Sequence, residues 1–543
     1  MSHINNLPLS VLAQILFKAA LPPAGSLHEW KEKLPLLAVC QAWAKLAVSF
    51  VLNKVFVEVT EACSSYNTHV EEPTHSSHVA WTSNAELIIS HNCMRKAKRL
   101  EIEMPDGATI DHLRHIVLEI LKLDRVDWLG INTLSFTYSP LICGHFIEPG
   151  IDRQSIADAA RTMQFFGQNM RGIVELNLTG PTYENADALT YANLASIYGG
   201  QLQVLRSAVP VVLGPFHFRS IAVLELSLDA AVAPVIPSVS GETLKVLKLN
   251  NVPHNFAWHC FRYDIYTRPI VFRQLTILHL SYDYDDNPAA AAGIQSKVAS
   301  GALNCDQLVF PALKKLTIEN CTPDCDLLYA EEPFPELKSV HLSGWFDEIS
   351  YCSRLKLAWV GDLHVEASLS DTNEAAKVYS TTSHFFSSIC IGRTATLEIG
   401  IGRFTIDPEL IRWINLTKLK VLSINYKSLC RVIARLPNIT DFEAYRLEFG
   451  AATLESLAVG ESLFSSADPL LAWGAKLSMV MITAFDKSCS LTVGTCGIQA
   501  FILNSGALTE LAVPESVESH IHAFIDLFKD SYPHLANIAV YSW

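Results

Sequence analysis

The stretch Phe310-Pro311-Ala312-Leu313-Lys314-Lys315-Leu316-Thr317-Ile318-Glu319-Asn320-Cys321 decides the fold. Apolar residues stand at Leu313, Leu316 and Ile318 with polar residues between them. From Leu316 onward the alternation has period two, as in a strand with one buried face. Pro311 lies two residues ahead of Leu313. It cannot continue a helix, and it biases Phe310 toward extended geometry. The stretch therefore reads as a break followed by a short strand. Phe334-Pro335-Glu336-Leu337-Lys338-Ser339-Val340-His341-Leu342 repeats it.

Working outward, the pattern apolar-x-x-apolar-x-apolar recurs from about residue 97 to the C-terminus. Clear copies are Ile173-x-x-Leu176-x-Leu178, Ile221-x-x-Leu224-x-Leu226, Leu244-x-x-Leu247-x-Leu249, Leu275-x-x-Leu278-x-Leu280 and Val360-x-x-Leu363-x-Val365. Others are Leu419-x-x-Leu422-x-Ile424, Leu454-x-x-Leu457-x-Val459, Leu508-x-x-Leu511-x-Val513 and Leu535-x-x-Ile538-x-Val540. Weaker copies begin near 97, 131, 202, 394, 439 and 477. The spacing runs from about 15 to 40 residues and averages in the high twenties. The proline junction returns in Leu436-Pro437-Asn438-Ile439 and Tyr532-Pro533-His534-Leu535. An amphipathic stretch, Ser516 to Lys529, carries Val517, Ile521, Phe524, Ile525 and Phe528 on one helical face.

The unit reads as helix, proline break, short strand. Chance alone produces isolated copies of the pattern in a chain half hydrophobic, but not a proline junction locked to it. These copies resemble the leucine-rich-repeat family over about four-fifths of the chain. The resemblance implies an α/β solenoid with a parallel concave sheet and convex helices. A regular Asn or Cys three residues after the last core position is missing. Cys321 fits that slot, whereas Val252, Asp283 and Trp345 stand there elsewhere.

The first fifty residues differ. Leu7-Pro8-Leu9-Ser10-Val11-Leu12-Ala13-Gln14-Ile15-Leu16-Phe17 reads as an apolar helix entered through a proline. A second helix runs through Leu34 to Ala47. So short a helical segment buries its own apolar surface poorly and calls for a partner. Leu7, Pro8, Val11, Leu12, Ile15 and Leu16, then Leu36 or Leu37, Val39, Cys40, Trp43 and Leu46, resemble the F-box, a helical motif that docks on a Skp-type adaptor. Family members carry an acidic residue where Ser10 stands and a shorter linker than Phe17 to Leu34. The resemblance implies adaptor contacts at Leu7, Pro8, Val11, Leu12, Ile15, Leu16, Leu37, Val39, Cys40, Trp43 and Leu46, and through the adaptor a cullin–RING ligase.

Composition narrows the function. Half of the 543 residues are hydrophobic and only 18% charged, which supports a continuous core and argues against disorder. A net charge of −14 disfavours nucleic acid, whose phosphates need a concentrated positive field. No uncharged apolar run reaches the length of a bilayer span, and no secretory signal is evident. Thirteen cysteines without a framework point to reduced thiols, in cytoplasm or nucleus.

Catalysis finds no support. His69, His75 and His78 beside Glu71 and Glu72 lack the four placed ligands of structural zinc, and read as a solvated loop. Cys305, Cys321 and Cys325 form no paired motif. His341, His364 and nearby Asp362 with Ser343 lack a nucleophile elbow. Gly400-Ile401-Gly402 lacks a third glycine and a Walker lysine. We expect no metal, no cofactor and no enzymatic activity.

The slot between the last two core positions points away from the core, so it maps a recognition face. Successive copies give Asn177, Glu225, Lys248, His279, Thr317, His341, His364 and Glu398, then bland residues such as Ala458, Met481, Ala512 and Ala539. Loops beside the middle copies are expected to add Tyr282, Tyr284, Asp285, Asp286, Trp345 and Phe346; aromatic residues make good interface anchors. The alternative is an ordinary solvated sheet face. The organisation expected is an F-box-like module over 1–52, a connecting segment over 53–96 and an irregular solenoid over 97–543. The resemblance implies a substrate-recognition subunit of an SCF-type (Skp–cullin–F-box) ubiquitin ligase that binds a protein substrate. The alternative is a repeat scaffold whose N-terminal helices only cap the solenoid.

Overall fold

The computed structural model describes residues 52–61, 80–105, 110–139, 153–179, 194–210, 220–228, 243–252, 270–282, 308–321, 334–345, 352, 360–368, 396–399, 415–425, 436, 438–439, 441–448, 479–481, 495–496, 498–499, 502–503, 508–513 and 515–542. The F-box-like residues, the His69–His78 cluster and the copy at Leu454 lie outside them. The chain divides into two units, residues 1–249 with 257–265, and residues 250–256 with 266–543.

The first unit is a sheet crossed by helices. Its strands are β1 (Lys54–Glu61), β2 (Ala80–Ser83), β3 (Arg99–Pro105), β4 (Thr133–Ser139), β5 (Glu175–Thr179), β6 (Val204–Pro210), β7 (Val223–Ser227) and β8 (Val246–Val252). They are ordered β2-β1-β3-β4-β5-β6-β7-β8. β1 and β3 to β7 run parallel; β2 lies antiparallel on β1. Parallel neighbours need a crossover. Helix α1 (Ala85–Ser90) follows β2, α2 (Ile110–His115) connects β3 to β4, and α3 (Arg153–Asn169) connects β4 to β5.

One backbone motif recurs at the entries of β3 to β8. The carbonyl just after the first core residue accepts two successive N–H groups from the next strand. Asn53 O takes Lys98 and Arg99, Lys98 O takes Asn132 and Thr133, and Asn132 O takes Val174 and Glu175. Val174, Gln203 and Ala222 continue the series. Ahead of this point a tight turn reverses the chain, as where Ile131 N–H donates to Trp128 O at 3.2 Å. Gly130 and Gly172 sit in equivalent turns. A Cβ on Gly130 would meet Arg95 O at 2.4 Å, and one on Gly172 would meet Ile131 O at 2.9 Å. Glycine is there because the neighbouring coil's backbone passes too close for a side chain.

The parallel sheet begins before residue 97. The segment 53–96, expected as a connector, supplies β1, paired from Lys54–Arg99 to Val57–Ile102. Val55, Phe56, Val57 and Glu58 are all buried, so β1 lacks the alternation that marks the other strands. Where β2 ends, the Asn84 side chain extends the ladder: Oδ1 accepts from Phe56 N–H and Nδ2 donates to Lys54 O.

In the second unit, β9 (Ile270–Val271), β10 (Ile277–Tyr282), β11 (Leu308–Val309), β12 (Lys315–Glu319), β13 (Ser339–Trp345), β14 (Asp362–Ser368), β15 (Thr396–Ile399), β16 (Lys418–Asn425) and β17 (Asp441–Glu448) come first. The strands β10-β12-β13-β14-β15-β16-β17 are consecutive, parallel neighbours. The carbonyls of Thr276, Lys314 and Lys338 repeat the double-acceptor motif.

The Phe-Pro junctions are β-turns. Leu313 N–H points to Phe310 O at 3.3 Å and Leu337 N–H to Phe334 O at 3.5 Å, with proline at the second turn position, where its fixed φ fits. The residues just before the Phe310-Pro311 turn, and before the equivalent turn at Phe272-Arg273, are extended, not helical: β9 and β11 pair in parallel as a second short ladder. At the Phe310-Pro311 junction the chain departs from the expected helix–proline–strand unit. Phe272, Phe310 and Phe334 occupy equivalent positions and stack, with ring centroids 4.9 and 5.7 Å apart. The expected helix–proline–strand unit is present at the C-terminal end. There β18 (Met479–Met481), β19 (Glu510–Val513) and β20 (Ala539–Ser542) form a parallel sheet. Helix α4 (Glu515–Phe528) buries Val517, Ile521 and Ile525 between β19 and β20, and Pro533 opens the turn that follows.

Candidate functional site

In the parallel strands after β1, residues at alternate positions point away from the core, and the in-register pairing lines them up in rows. In the first unit the slot between the last two core positions holds Ser135, Asn177, Arg206 and Glu225 in register on β4 to β7, and Lys248 stands there on β8. An ionic chain joins them. Arg206 Nη1 donates to Glu175 Oε1 at 2.6 Å and to Asn177 Oδ1 at 3.1 Å. Glu225 Oε1 lies 3.5 Å from Arg206 Nε and 3.0 Å from Lys248 Nζ. Thr133 Oγ1 donates to Glu175 Oε2. Burial alone would raise the Glu175 carboxyl, but hydrogen bonds from Arg206, Asn177 and Thr133, with the Arg206 charge, outweigh it and hold it below the usual carboxylate range.

In the second unit the same slot holds His279, Thr317, His341, His364, Glu398, Lys420 and Glu443, each in register with the next. Within each unit, therefore, the slots expected from the sequence line up as a row. His341 and His364 face each other across β13 and β14, their ring centroids 4.2 Å apart. Glu366, two residues beyond His364 on the same face, puts Oε2 3.9 Å from His364 Nε2. His279 Nε2 lies 3.3 Å from Glu319 Oε1, and Lys420 Nζ lies 3.4 Å from Glu443 Oε1. Burial, and then His364, hold the His341 imidazole below its ordinary range, which keeps it neutral near pH 7.

Some expected residues are placed otherwise. Tyr282 ends strand β10 instead of lying in a loop, and it is only 5% exposed. Its ring packs inward as a core position, so it offers no anchor to a partner. Thr317 is 6% exposed, sunk between its longer histidine neighbours. Trp345 closes β13 and is not in a loop. Cys321 stands in the repeat slot and is buried. Tyr284, Asp285, Asp286 and Phe346 lie outside the described residues.

Three contributors were missed. Arg206 belongs to the weak copy Leu202-x-x-Leu205-x-Ser207, where a buried serine replaces the last apolar residue; reading its slot would have found it. Glu319 and Glu366 stand one pleat further along, in a second outward row that pairs Glu319 with Ser343 and Ser343 with Glu366. The ligand atoms of His341, His364 and Glu366 lie within 4.8 Å of one another, a grouping the expectation of no metal did not foresee.

Chemically, the first unit's row offers paired charges and the second unit's row imidazoles and carboxylates, groups suited to recognition of polar side chains. No protein-family model and no curated protein matches the chain. No helix among the described residues is long and apolar enough to cross a membrane.

Proposed function

We propose that the chain is the substrate-recognition subunit of an SCF-type ubiquitin ligase. The F-box-like residues around Leu12 and Trp43 dock a Skp-type adaptor, and through it a cullin–RING ligase. The leucine-rich repeats hold a protein substrate through their outward rows, Glu225 and Lys248 in the first unit and His279, His341 and His364 in the second. The chain contributes positioning, by raising the substrate's effective concentration near the ligase, and no covalent chemistry of its own.

The observation that supports this most is a long in-register parallel sheet, displaying a polar row, behind an N-terminal sequence patterned as an adaptor-docking helix pair. The test is co-purification. The full chain should retain a Skp-type adaptor, and Leu12→Ala with Trp43→Ala should release it while far-UV circular dichroism stays unchanged. A wild-type chain that captures no adaptor leaves the scaffold alternative, in which the N-terminal helices only cap the repeats.

A further inference from the structure

We propose that His341, His364 and Glu366 bind a divalent transition-metal ion, zinc by ligand type, with a coordination position left open. The site goes beyond the ligase reading and does not depend on it.

The fold assembles the donors before any ion arrives. β13 and β14 are parallel and in register, so His341 and His364 are direct cross-strand neighbours, and Glu366 shares their face two residues on. Two imidazoles and one carboxylate are the donor set that zinc takes with three protein ligands, leaving the fourth position to water or a partner's side chain. Tetrahedral ligand atoms about 2.0–2.1 Å from zinc stand about 3.4 Å apart. Here they lie within 4.8 Å, and Glu366 is exposed and able to swing inward.

A second observation points to a ligand. His341 Nε2 is buried with no hydrogen-bond partner, although buried polar atoms are nearly always paired. An ion between the rings satisfies that lone pair. Glu319 is not needed as a donor, because it faces His279 at 3.3 Å.

Cobalt(II), a spectroscopic stand-in for zinc, separates this site from the chain's cysteines. The full-length protein should bind one equivalent of Co²⁺ with visible d–d bands and no near-ultraviolet thiolate band, and Zn²⁺ should displace it in calorimetry. His341→Ala and His364→Ala should each abolish that equivalent, and Glu366→Gln should weaken it. His522→Ala, which alters an unrelated His522–Glu518 pair on α4, should leave it intact. His364→Cys keeps a ligand in place and should bind Co²⁺ with a new thiolate band, which guards against misfolded alanine variants. The proposal is overturned if wild-type protein binds neither metal at micromolar concentration. It is also overturned if the equivalent survives both alanine changes, or if folded His364→Cys binds without the thiolate band.

Discussion

Gly130→Ala should destabilise the first unit through one methyl group. The added Cβ would stand 2.4 Å from Arg95 O and 2.6 Å from Ala97 O, where carbon and oxygen normally keep more than 3 Å. Gly130 is not in the left-handed region, so the cost is steric and not conformational. Both obstacles are backbone atoms, and the segment is pinned by Ala97 N–H on Cys93 O and by Lys98 N–H on Asn53 O. No side chain can rotate away, so the coils must part by roughly 1 Å or the turn must distort. Overpacking of this kind costs about 1–3 kcal/mol, and rigid obstacles favour the upper half. With a urea m-value of about 2–3 kcal/mol/M, the midpoint should fall by about 1 M. Gly200→Ala is the control, because a Cβ there meets nothing within 4 Å. Urea unfolding followed by circular dichroism reads both. If Gly130→Ala unfolds within about 0.2 M of wild type, or Gly200→Ala falls as far, close approach is not what keeps glycine in that turn.

Phe310→Ala removes the middle ring of the Phe272–Phe310–Phe334 stack and should cost about 3–5 kcal/mol in thermal or urea unfolding, while Leu527→Ala, 74% exposed on α4, should change stability by less than about 0.5 kcal/mol. Arg206→Met should cost under about 1 kcal/mol at pH 7, because the Arg206–Glu175 pair is partly solvated. The folded Glu175 carboxyl titrates below its unfolded value, so its contribution is complete above the unfolded pKa and disappears as pH falls through the folded one. The gap between wild type and Arg206→Met in urea midpoint should therefore narrow on acidification from about pH 6 to about pH 3. A gap that stays constant with pH would exclude this pairing as its source.

The strands were legible because burying one face of a sheet forces apolar residues onto alternate positions, as at Leu316 and Ile318. Their in-register stacking is legible too, because His341 and His364 take the same slot in adjacent copies. β1 escaped because Phe56 and Glu58, on what would be its outward face, are buried, so no alternation survives in Val55-Phe56-Val57-Glu58. The prolines were read correctly as helix breakers, but Phe310-Pro311 has an extended neighbour, since proline excludes helix without saying what precedes it. Tyrosine and aspartate around Tyr282 give it the composition of an interface loop; its burial depends on strand length, which local composition does not report. Arg206 was hidden by Ser207 in a core position, and Glu366 by attention to a single slot per copy. Helix α3, between β4 and β5, is as amphipathic as α4 but much more polar overall, so its apolar face stands out less in the sequence.

Isothermal titration of the purified full-length chain with a purified Skp-type adaptor tests the central claim most directly. The ligase reading predicts saturable one-to-one binding that Leu12→Ala with Trp43→Ala abolishes. Absence of heat and of complex on gel filtration, with a correctly folded chain, would contradict it and leave a repeat protein that binds partners through its sheet face alone.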